Sequence, residues 1–222
     1  MIIPSRYNGP PESANGGYAC GLLAERLGGV AEVTLRRPPP LSVELEVAEI
    51  DGGVELRQGD LLVAEARPLE LELDVPEPVA VADAVEASKG YAGFEHHAYP
   101  TCFACGPARD DGLGIFAGPV AGRDGLVAAP WRPPEDVRPE IVWAALDCPA
   151  GWAVDDFQRE GVFLGRMAAH VLRLPEPGAE HVVIGWRAGA EGRKRLAGSA
   201  LFTEEGQLLA CSRSTWIVPR AA

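Results

Sequence analysis

A helical pattern followed by a run of short strands occurs twice in this chain of 222 residues, and this repetition constrains the fold more than any other feature. Apolar side chains recur at helical spacing over residues 15–28 and again over residues 139–155. Each helical pattern precedes four segments with the composition and alternation typical of strands. The predicted strands are 30–37, 41–50, 54–57 and 61–75 in the first half, and 161–174, 181–187, 194–203 and 208–218 in the second. Two shorter strands, 113–116 and 125–129, are predicted before the second helix.

Turn residues between these segments indicate antiparallel meanders. Asp51-Gly52-Gly53 and Gln58-Gly59-Asp60 are hairpin signals, because glycine adopts the positive φ that tight turns require. The last strand of each half also opens on a similar segment, Gly59-Asp60-Leu61-Leu62-Val63 in the first and Gly206-Gln207-Leu208-Leu209-Ala210 in the second. The matching order of elements therefore predicts two related units.

We predict an α+β fold with an N-terminal unit at 1–75 and a C-terminal unit at 101–222. A linker at 76–100 opens with Pro76-Glu77-Pro78 and has room for a short helix. Each unit is small for an independent core, so the two are expected to bury a face against each other.

Charge and cysteine content exclude several functional classes. The chain has 32 acidic and 20 basic side chains, and a net charge of -12 disfavours nucleic-acid binding. No apolar run is long enough to span a membrane, and the first residues lack a signal-peptide pattern, so a cytoplasmic location is expected. Five cysteines are an odd number, which makes a disulfide framework improbable.

Three segments carry a resemblance to a known family. They are Ala14-Asn15-Gly16-Gly17-Tyr18-Ala19-Cys20-Gly21-Leu22-Leu23-Ala24, Cys102-Phe103-Ala104-Cys105-Gly106-Pro107 with Gly112-Leu113-Gly114, and Ala144-Ala145-Leu146-Asp147-Cys148-Pro149-Ala150-Gly151-Trp152. Together they resemble the hotdog-fold acyl-CoA thioesterase superfamily, in which an antiparallel sheet wraps a long helix and two such units pair. The resemblance implies a tandem double hotdog over nearly the whole chain, and further pairing into a homo-oligomer.

The resemblance also implies a reaction and its residues. The substrate would be an acyl-CoA or a related acyl thioester, with coenzyme A as part of the substrate and no separate cofactor. Asp147 would activate or orient water, while the backbone of Gly16 and Gly17 behind Asn15 would stabilise the oxyanion at a helix N-terminus. Asn15 is equally well explained as a helix cap, with the glycines permitting tight packing against the sheet.

Asp147 attracts attention on physical grounds too, because it lies in the mostly apolar segment 141–152, where an ionised group needs a compensating interaction. The alternative is an aspartate on an exposed helix face. Pro149 is expected to disturb the helix nearby, since proline lacks an N–H and crowds the preceding turn.

Further residues are predicted to contact the substrate. Tyr18 follows the glycines, and Trp143 precedes Asp147, although tryptophan is also typical of a core. The basic cluster Arg193, Lys194 and Arg195 is suited to the phosphates of a coenzyme A thioester, or is simply a solvated hairpin tip.

A second, symmetry-related site is expected to be degenerate. Glu25 falls only near the acidic position, and the second helix opens on Pro139-Glu140-Ile141 without a glycine pair. In one double-hotdog branch a threonine and a glutamine assist the aspartate, and Ala188 and Ser214 align there instead. A non-catalytic acyl-ligand binding or assembly protein is therefore the alternative function, while no histidine-containing helix motif favours a dehydratase.

The cysteines allow two other sites. His96, His97, Cys102 and Cys105 suggest zinc, but one Cys-x2-Cys pair is a weak signal, and we predict no metal. Cys148 would need a histidine to act as a nucleophile, and none is adjacent in sequence, so a buried inert thiol is expected.

Overall fold

The computed structural model describes residues 1–154 and 161–220, and its strands form one antiparallel sheet. Three α-helices lie at Gly16–Ala24 (α1), Val81–Lys89 (α2) and Pro139–Trp152 (α3). The strands are Ala31–Leu35 (β1), Glu46–Ile50 (β2), Gly53–Gln58 (β3), Leu61–Pro68 (β4), Gly118–Pro119 (β5), Leu126–Trp131 (β6), Phe163–Val171 (β7), His181–Glu191 (β8), Lys194–Thr203 (β9) and Leu208–Ile217 (β10). The predicted α+β class with an antiparallel sheet is confirmed.

The strand order repeats on either side of the sheet's middle. The order is β2-β3-β4-β1-β7-β10-β9-β8-β6-β5, so that β1 to β4 and β7 to β10 follow the same plan outward from the β1–β7 pair. That central pair is antiparallel, with Ala31 opposite Ala169 and Thr34 opposite Arg166. The similar segments noted in the sequence open equivalent strands, at Leu61 in β4 and Leu208 in β10.

Helices α1 and α3 pack against each other and against one face of the sheet. The opposite face is covered only over the second half, where α2 and residues 71–81 pack on β6, β8 and β9. This second apolar cluster contains Ala84, Ile184 and Phe202. The predicted linker thus contains the expected short helix, and its side chains form an outer layer on the sheet.

The strand predicted at 41–50 is shorter than expected because a neighbouring segment takes its hydrogen bonds. Residues 41–45 bond to the N-terminal segment, through Ser42 N–H to Ile3 O and Leu45 N–H to Met1 O, so β2 begins only at Glu46. The predicted strand at 113–116 is wrong. Leu113 and Ile115 donate instead to the carbonyls of Phe103 and Ala104, which ties this segment to the Cys102–Cys105 loop.

The helices are also shorter than predicted. The first ends at Ala24 rather than residue 28, and the second ends at Trp152, while the predicted end at Asp155 lies outside the described residues. Over the two described ranges, none of the helices has the length and apolar character that a membrane span would need.

Candidate active site

Two glycines allow α1 and α3 to approach closely. A Cβ at position 17 would lie 2.5 Å from Asp147 Cβ and 2.5 Å from the carbonyl oxygen of Trp143. A Cβ at position 21 would lie 2.6 Å from Glu140 Cα. Gly17 and Gly21 are therefore needed for helix–helix contact, which brings the N-terminus of α1 to Asp147. The expected packing of a glycine against the sheet holds for Gly16, where a Cβ would lie 2.8 Å from Leu164 Cδ2 on β7.

Asp147 is buried where the two helices meet. Its Oδ2 accepts a hydrogen bond of 2.9 Å from the backbone N–H of Gly17, and its Oδ1 has no hydrogen-bond partner in the described part of the chain. Burial raises the pKa of Asp147 to about 7, against the opposing effect of the Gly17 N–H bond. The interpretation of Asp147 as an exposed helix-face residue is wrong, because only 3% of it is exposed.

Asn15 caps α1 and faces the other half of the chain. Its Oδ1 accepts the N–H of Tyr18 at 2.9 Å, as expected of a helix cap. Its Nδ2 is directed at the sulfurs of Cys102 and Cys148, 3.9 and 3.8 Å away. The N–H of Gly16, at the first position of the helix, bonds to no residue in ranges 1–154 and 161–220.

A cleft of about 530 Å³ opens beside these residues. Asp147, Asn15 and Gly16 line its polar end, and apolar side chains form much of the rest of its wall. The apolar lining includes Leu35, Val162, Phe163, Leu164, Trp216 and Ile217. A cleft of this size, mostly apolar with a few converging polar groups, is typical of a small-molecule site.

Three thiols meet at the same end of the cleft. Cys102, Cys105 and Cys148 are buried, and their sulfurs all lie within 4.8 Å of one another. Hydrogen bonds from the other two thiols hold the pKa of Cys102 well below its ordinary value. The hydrogen bonds to Cys102 and Cys105, together with burial, raise the pKa of Cys148.

His97 joins this cluster, whereas His96 is exposed. The Nε2 of His97 lies 3.4 Å from Cys105 Sγ, and its Nδ1 accepts the N–H of Tyr99 at 2.9 Å. Of the four residues that suggested zinc in the sequence, the structure brings His97, Cys102 and Cys105 together and leaves His96 exposed. The third sulfur comes from Cys148 on α3, and no local signal in the sequence places this helix near the Cys-x2-Cys segment.

Tyr18 and Trp143 are packed away from the cleft wall. The Tyr18 ring stacks on Tyr7 with centroids 3.9 Å apart, and Phe103 packs edge-on against the pair. Trp143 is buried at the helix contact, where it lies against Gly17 and Gly21 of α1. Neither residue lines the cleft, so the direct substrate contact predicted for each has no support from its position.

The basic cluster lies at the end of the sheet that borders the cleft. Lys194 pairs with Ile217, which in turn pairs with Phe163, and the latter two residues line the cleft. Arg193 donates to Val218 O at 3.1 Å, while Lys194 pairs with Glu191 at 3.5 Å.

A second basic segment, which was not among the predicted site residues, borders the cleft directly. Arg36 and Arg37 follow β1 and line the cleft. Arg36 pairs with Glu65, whereas the exposed guanidinium of Arg37 meets no acidic partner among the residues described. A basic residue directly after a strand could have indicated this segment. The sequence does not show, however, which end of the strand borders the cleft.

The symmetry-related site lacks its acid. Asp147 is the ninth residue of α3, and the ninth residue of α1 is Ala24. Glu25 is exposed at the end of α1. At the other end, Glu140 is buried in the first turn of α3, 3.3 Å from Arg138, where α1 has a glycine.

Neither of the two positions aligned with the assisting threonine and glutamine offers an uncommitted polar side chain. Ala188 is exposed on β8. Ser214 is buried on β10, donates to Ala197 O at 3.3 Å and accepts from Trp216 Nε1 at 2.9 Å. Ser214 therefore orients a tryptophan of the cleft wall.

Comparison with known proteins supports the fold. No family model matches the sequence. None of the curated proteins matches it either. Solved structures do: a conserved protein with a hot dog fold from Alicyclobacillus acidocaldarius has a TM-score of 0.67 at 11% identity, over 99% of this chain and 92% of that one.

Two further solved structures are similar at comparable coverage. The tesB protein of Mycobacterium avium subs paratuberculosis has a TM-score of 0.59 at 14% identity, over 99% of this chain and 91% of that one. Acyl-CoA thioesterase II TesB2 of Mycobacterium marinum has a TM-score of 0.59 at 13% identity, over 100% and 92%. The chain therefore has the hotdog fold.

Proposed function

We propose that this protein hydrolyses an acyl thioester in the cleft between α1 and α3. Water would add to the thioester carbonyl carbon, the carbon–sulfur bond would break, and the products would be a carboxylic acid and a free thiol. Asp147 would accept a proton from the attacking water, and this proton would then pass to the leaving sulfur. The fold neighbour named as an acyl-CoA thioesterase agrees with this reaction class.

One observation carries the proposal: in Asp147, a buried residue of the cleft lining, Gly17 N–H binds one carboxylate oxygen, and the other oxygen, also buried, has no hydrogen-bond partner in the described part of the chain. The Gly17 bond fixes the orientation of Asp147, and a water molecule that enters from the cleft would have Oδ1 as its acceptor. Preorganisation of this kind is what a general base requires.

The same contact changes the predicted oxyanion site. Gly17 N–H is engaged by Asp147, so the donor left for a developing oxyanion is Gly16 N–H at the first position of α1. A first-turn N–H is suited to negative charge because it lacks an intrahelical partner and lies at the positive end of the helix dipole. Asn15 would hold this turn in place through its cap to Tyr18.

The cleft favours a substrate with an apolar chain and an anionic end. Leu35, Leu164 and Trp216 would contact the acyl chain. The exposed guanidinium of Arg37, with the basic turn at 193–195 beyond it, would meet phosphate groups. Coenzyme A thioesters combine these features, and coenzyme A would enter as part of the substrate.

We also propose that the two halves are tandem hotdog units. The repeated order of one helix and four strands, and the central β1–β7 pair, support this interpretation. The site would then be composite, with the donors supplied by the first unit and the carboxylate by the second. The boundaries at 1–75, 76–100 and 101–222, the cytoplasmic location and the homo-oligomer stay predictions.

A second function, binding of an acyl ligand without turnover, is favoured by the state of Ala188 and Ser214. The first is exposed and the second is committed to Ala197 and Trp216, so neither supplies a second group to hold the water. In that case the cleft would retain its ligand preference, while Asp147 would be a buried helix contact.

Thiol release from a panel of acyl-CoA thioesters separates the two functions. Hydrolysis predicts one free thiol for each carboxylic acid formed, with turnover lost and affinity for a thioether analogue retained in Asp147→Asn. Binding of the analogue by a folded wild-type protein that releases no thiol from any member of the panel would instead establish the second function. Wild-type turnover that Asp147→Asn leaves unchanged would remove Asp147 as the base.

A further inference from the structure

The cysteine cluster beside the cleft has the geometry of a thiolate metal site. We propose that Cys102, Cys105 and Cys148 bind one zinc ion. Tetrahedral sulfur ligands at a Zn–S distance of about 2.3 Å are about 3.8 Å apart. Cys102 and Cys148 Sγ are separated by 3.7 Å, and Cys105 Sγ completes a triangle with no side above 4.8 Å.

The Cys-x2-Cys segment is shaped as a metal-binding turn. Gly106 N–H donates to Cys102 O at 2.8 Å, and Ala108 N–H donates to Pro100 O at 2.9 Å. A Cβ at position 106 would lie 2.6 Å from Cys102 O and 2.6 Å from Pro100 O, so the turn requires glycine there. This turn places two sulfurs on the same side, toward α3.

The third ligand comes from a distant part of the chain. Cys148 lies on α3, 46 residues from Cys102, so the ligand set exists only in the folded protein. No metal was predicted from the sequence because it contains only one Cys-x2-Cys pair. A zinc ion at this position would fasten the 102–106 turn to α3 at the polar end of the cleft.

Polar donors surround the sulfurs on two sides. Asn15 Nδ2 points at Cys102 and Cys148, and His97 Nε2 points at Cys105. Because His97 Nδ1 accepts the Tyr99 N–H, the neutral ring carries its hydrogen on Nε2, so His97 is a donor to a sulfur rather than a ligand. Three thiolates and one Zn²⁺ carry a net negative charge, and such N–H donors stabilise it in a buried site.

Zinc fits the donor set better than other common ions. Thiolate ligands select zinc and other soft metals over magnesium or calcium. The remaining tetrahedral position would be open to the cleft, which all three cysteines line. The other two cysteines, Cys20 and Cys211, lie outside the cluster and provide matched controls.

Metal analysis of the full-length protein tests the proposal without any assay of turnover. The wild-type chain, produced with added zinc and purified under reducing conditions without chelator, is expected to contain about one zinc per chain. After the zinc is removed, added Co²⁺ should give the sulfur-to-cobalt charge-transfer absorption and the intense visible bands of a tetrahedral thiolate site. Cys148→Ser should lose at least about nine tenths of the zinc, whereas Cys20→Ala and Cys211→Ala should keep it.

The His97→Gln variant tests whether His97 is a hydrogen-bond donor to the cysteines or a zinc ligand. If His97 is a donor, this variant should retain the zinc. If His97→Gln loses the metal while its fold is preserved, the three-sulfur assignment is wrong. A wild-type protein without zinc and without a cobalt–thiolate spectrum overturns the site, even if the cysteine variants fail to fold. Another metal at one per chain, or a disulfide between two of the three cysteines in protein purified under reducing conditions, also overturns it.

Discussion

The two halves of the molecule follow one plan but contribute different chemistry to the cleft. In the first half, α1 is short, begins with two glycines and supplies backbone N–H groups. In the second, α3 is longer, is buried from Glu140 to Trp152, and supplies a carboxylate and a thiol. Under the proposed function, the two halves would therefore form a single site, to which the first contributes the backbone donors and the second the carboxylate.

The two halves of the sheet differ in strand length and in how their outer faces are covered. The strands of the second half are longer, and α2 covers their outer face, whereas the strand β2 of the first half is exposed or half-buried along its length. In the second half the sheet thus lies between α3 on one face and α2 on the other, so that α3 packs on a sheet whose far side is also covered. A carboxylate carried by such a helix is firmly positioned, which suits Asp147 as the fixed member of the site.

The largest expected effect is on kcat, and it comes from a comparison of two buried acids of α3, Asp147 and Glu140. Asp147→Asn should lower kcat by about 10²- to 10⁴-fold, because a general base is removed while the side chain keeps its shape. Glu140→Gln, which alters the buried acid near the symmetry-related position, should leave kcat unchanged. Thiol release by the two purified variants checks this pair. Equal losses in both would mean that the acids act through helix packing, and the contrast between the halves would fail.

The second prediction concerns the two glycines of the helix contact. Gly17→Ala and Gly21→Ala should each destabilise the fold by about 1–3 kcal/mol, since each new methyl group meets α3. Gly17→Ala should also lower kcat, because its Cβ would displace Asp147, whereas Gly21→Ala contacts Glu140 and Trp143 instead. Chemical denaturation and kinetics on both variants give the two readouts. A Gly17→Ala variant with normal stability and normal kcat would show that the helices are not in close contact.

The smallest expected effect concerns the basic residue that the first half places at the cleft. Arg37→Ala should raise KM for an acyl-CoA by about threefold to tenfold, and the increase should diminish at high salt. Arg132→Ala removes an equally exposed arginine that pairs with Glu180 away from the cleft, and it is the control. If both variants raise KM alike, general charge rather than a local phosphate contact is responsible.

Much of the fold could be predicted because the relevant signals are local. Gly52 and Gly59 adopt the positive φ expected of the two hairpin turns, and the strand predicted at 194–203 has the bounds observed for β9. The failures involve long-range partners. Residues 41–45 alternate like a strand, yet the N-terminal segment takes their hydrogen bonds, and nothing within the segment itself indicates this.

The site was predictable only in its parts. Asp147 and Gly17 were identified individually, but the use of the Gly17 N–H by Asp147 depends on how closely the helices pack. The meeting of Cys148 with Cys102 depends on the same packing and has no local signal. Arg37 was overlooked because the sequence does not reveal which end of β1 borders the cleft.

The central claim is that one substrate touches both halves at a single composite site. A crystal structure with a non-hydrolysable acyl-CoA thioether tests it most directly. The account predicts that the carbon corresponding to the thioester carbonyl lies between Asp147 Oδ1 and Gly16 N–H, with the acyl chain along the apolar wall and the phosphates toward Arg37. A ligand bound at the N-terminus of α3 beside Glu140, or one that contacts a single half, would contradict it.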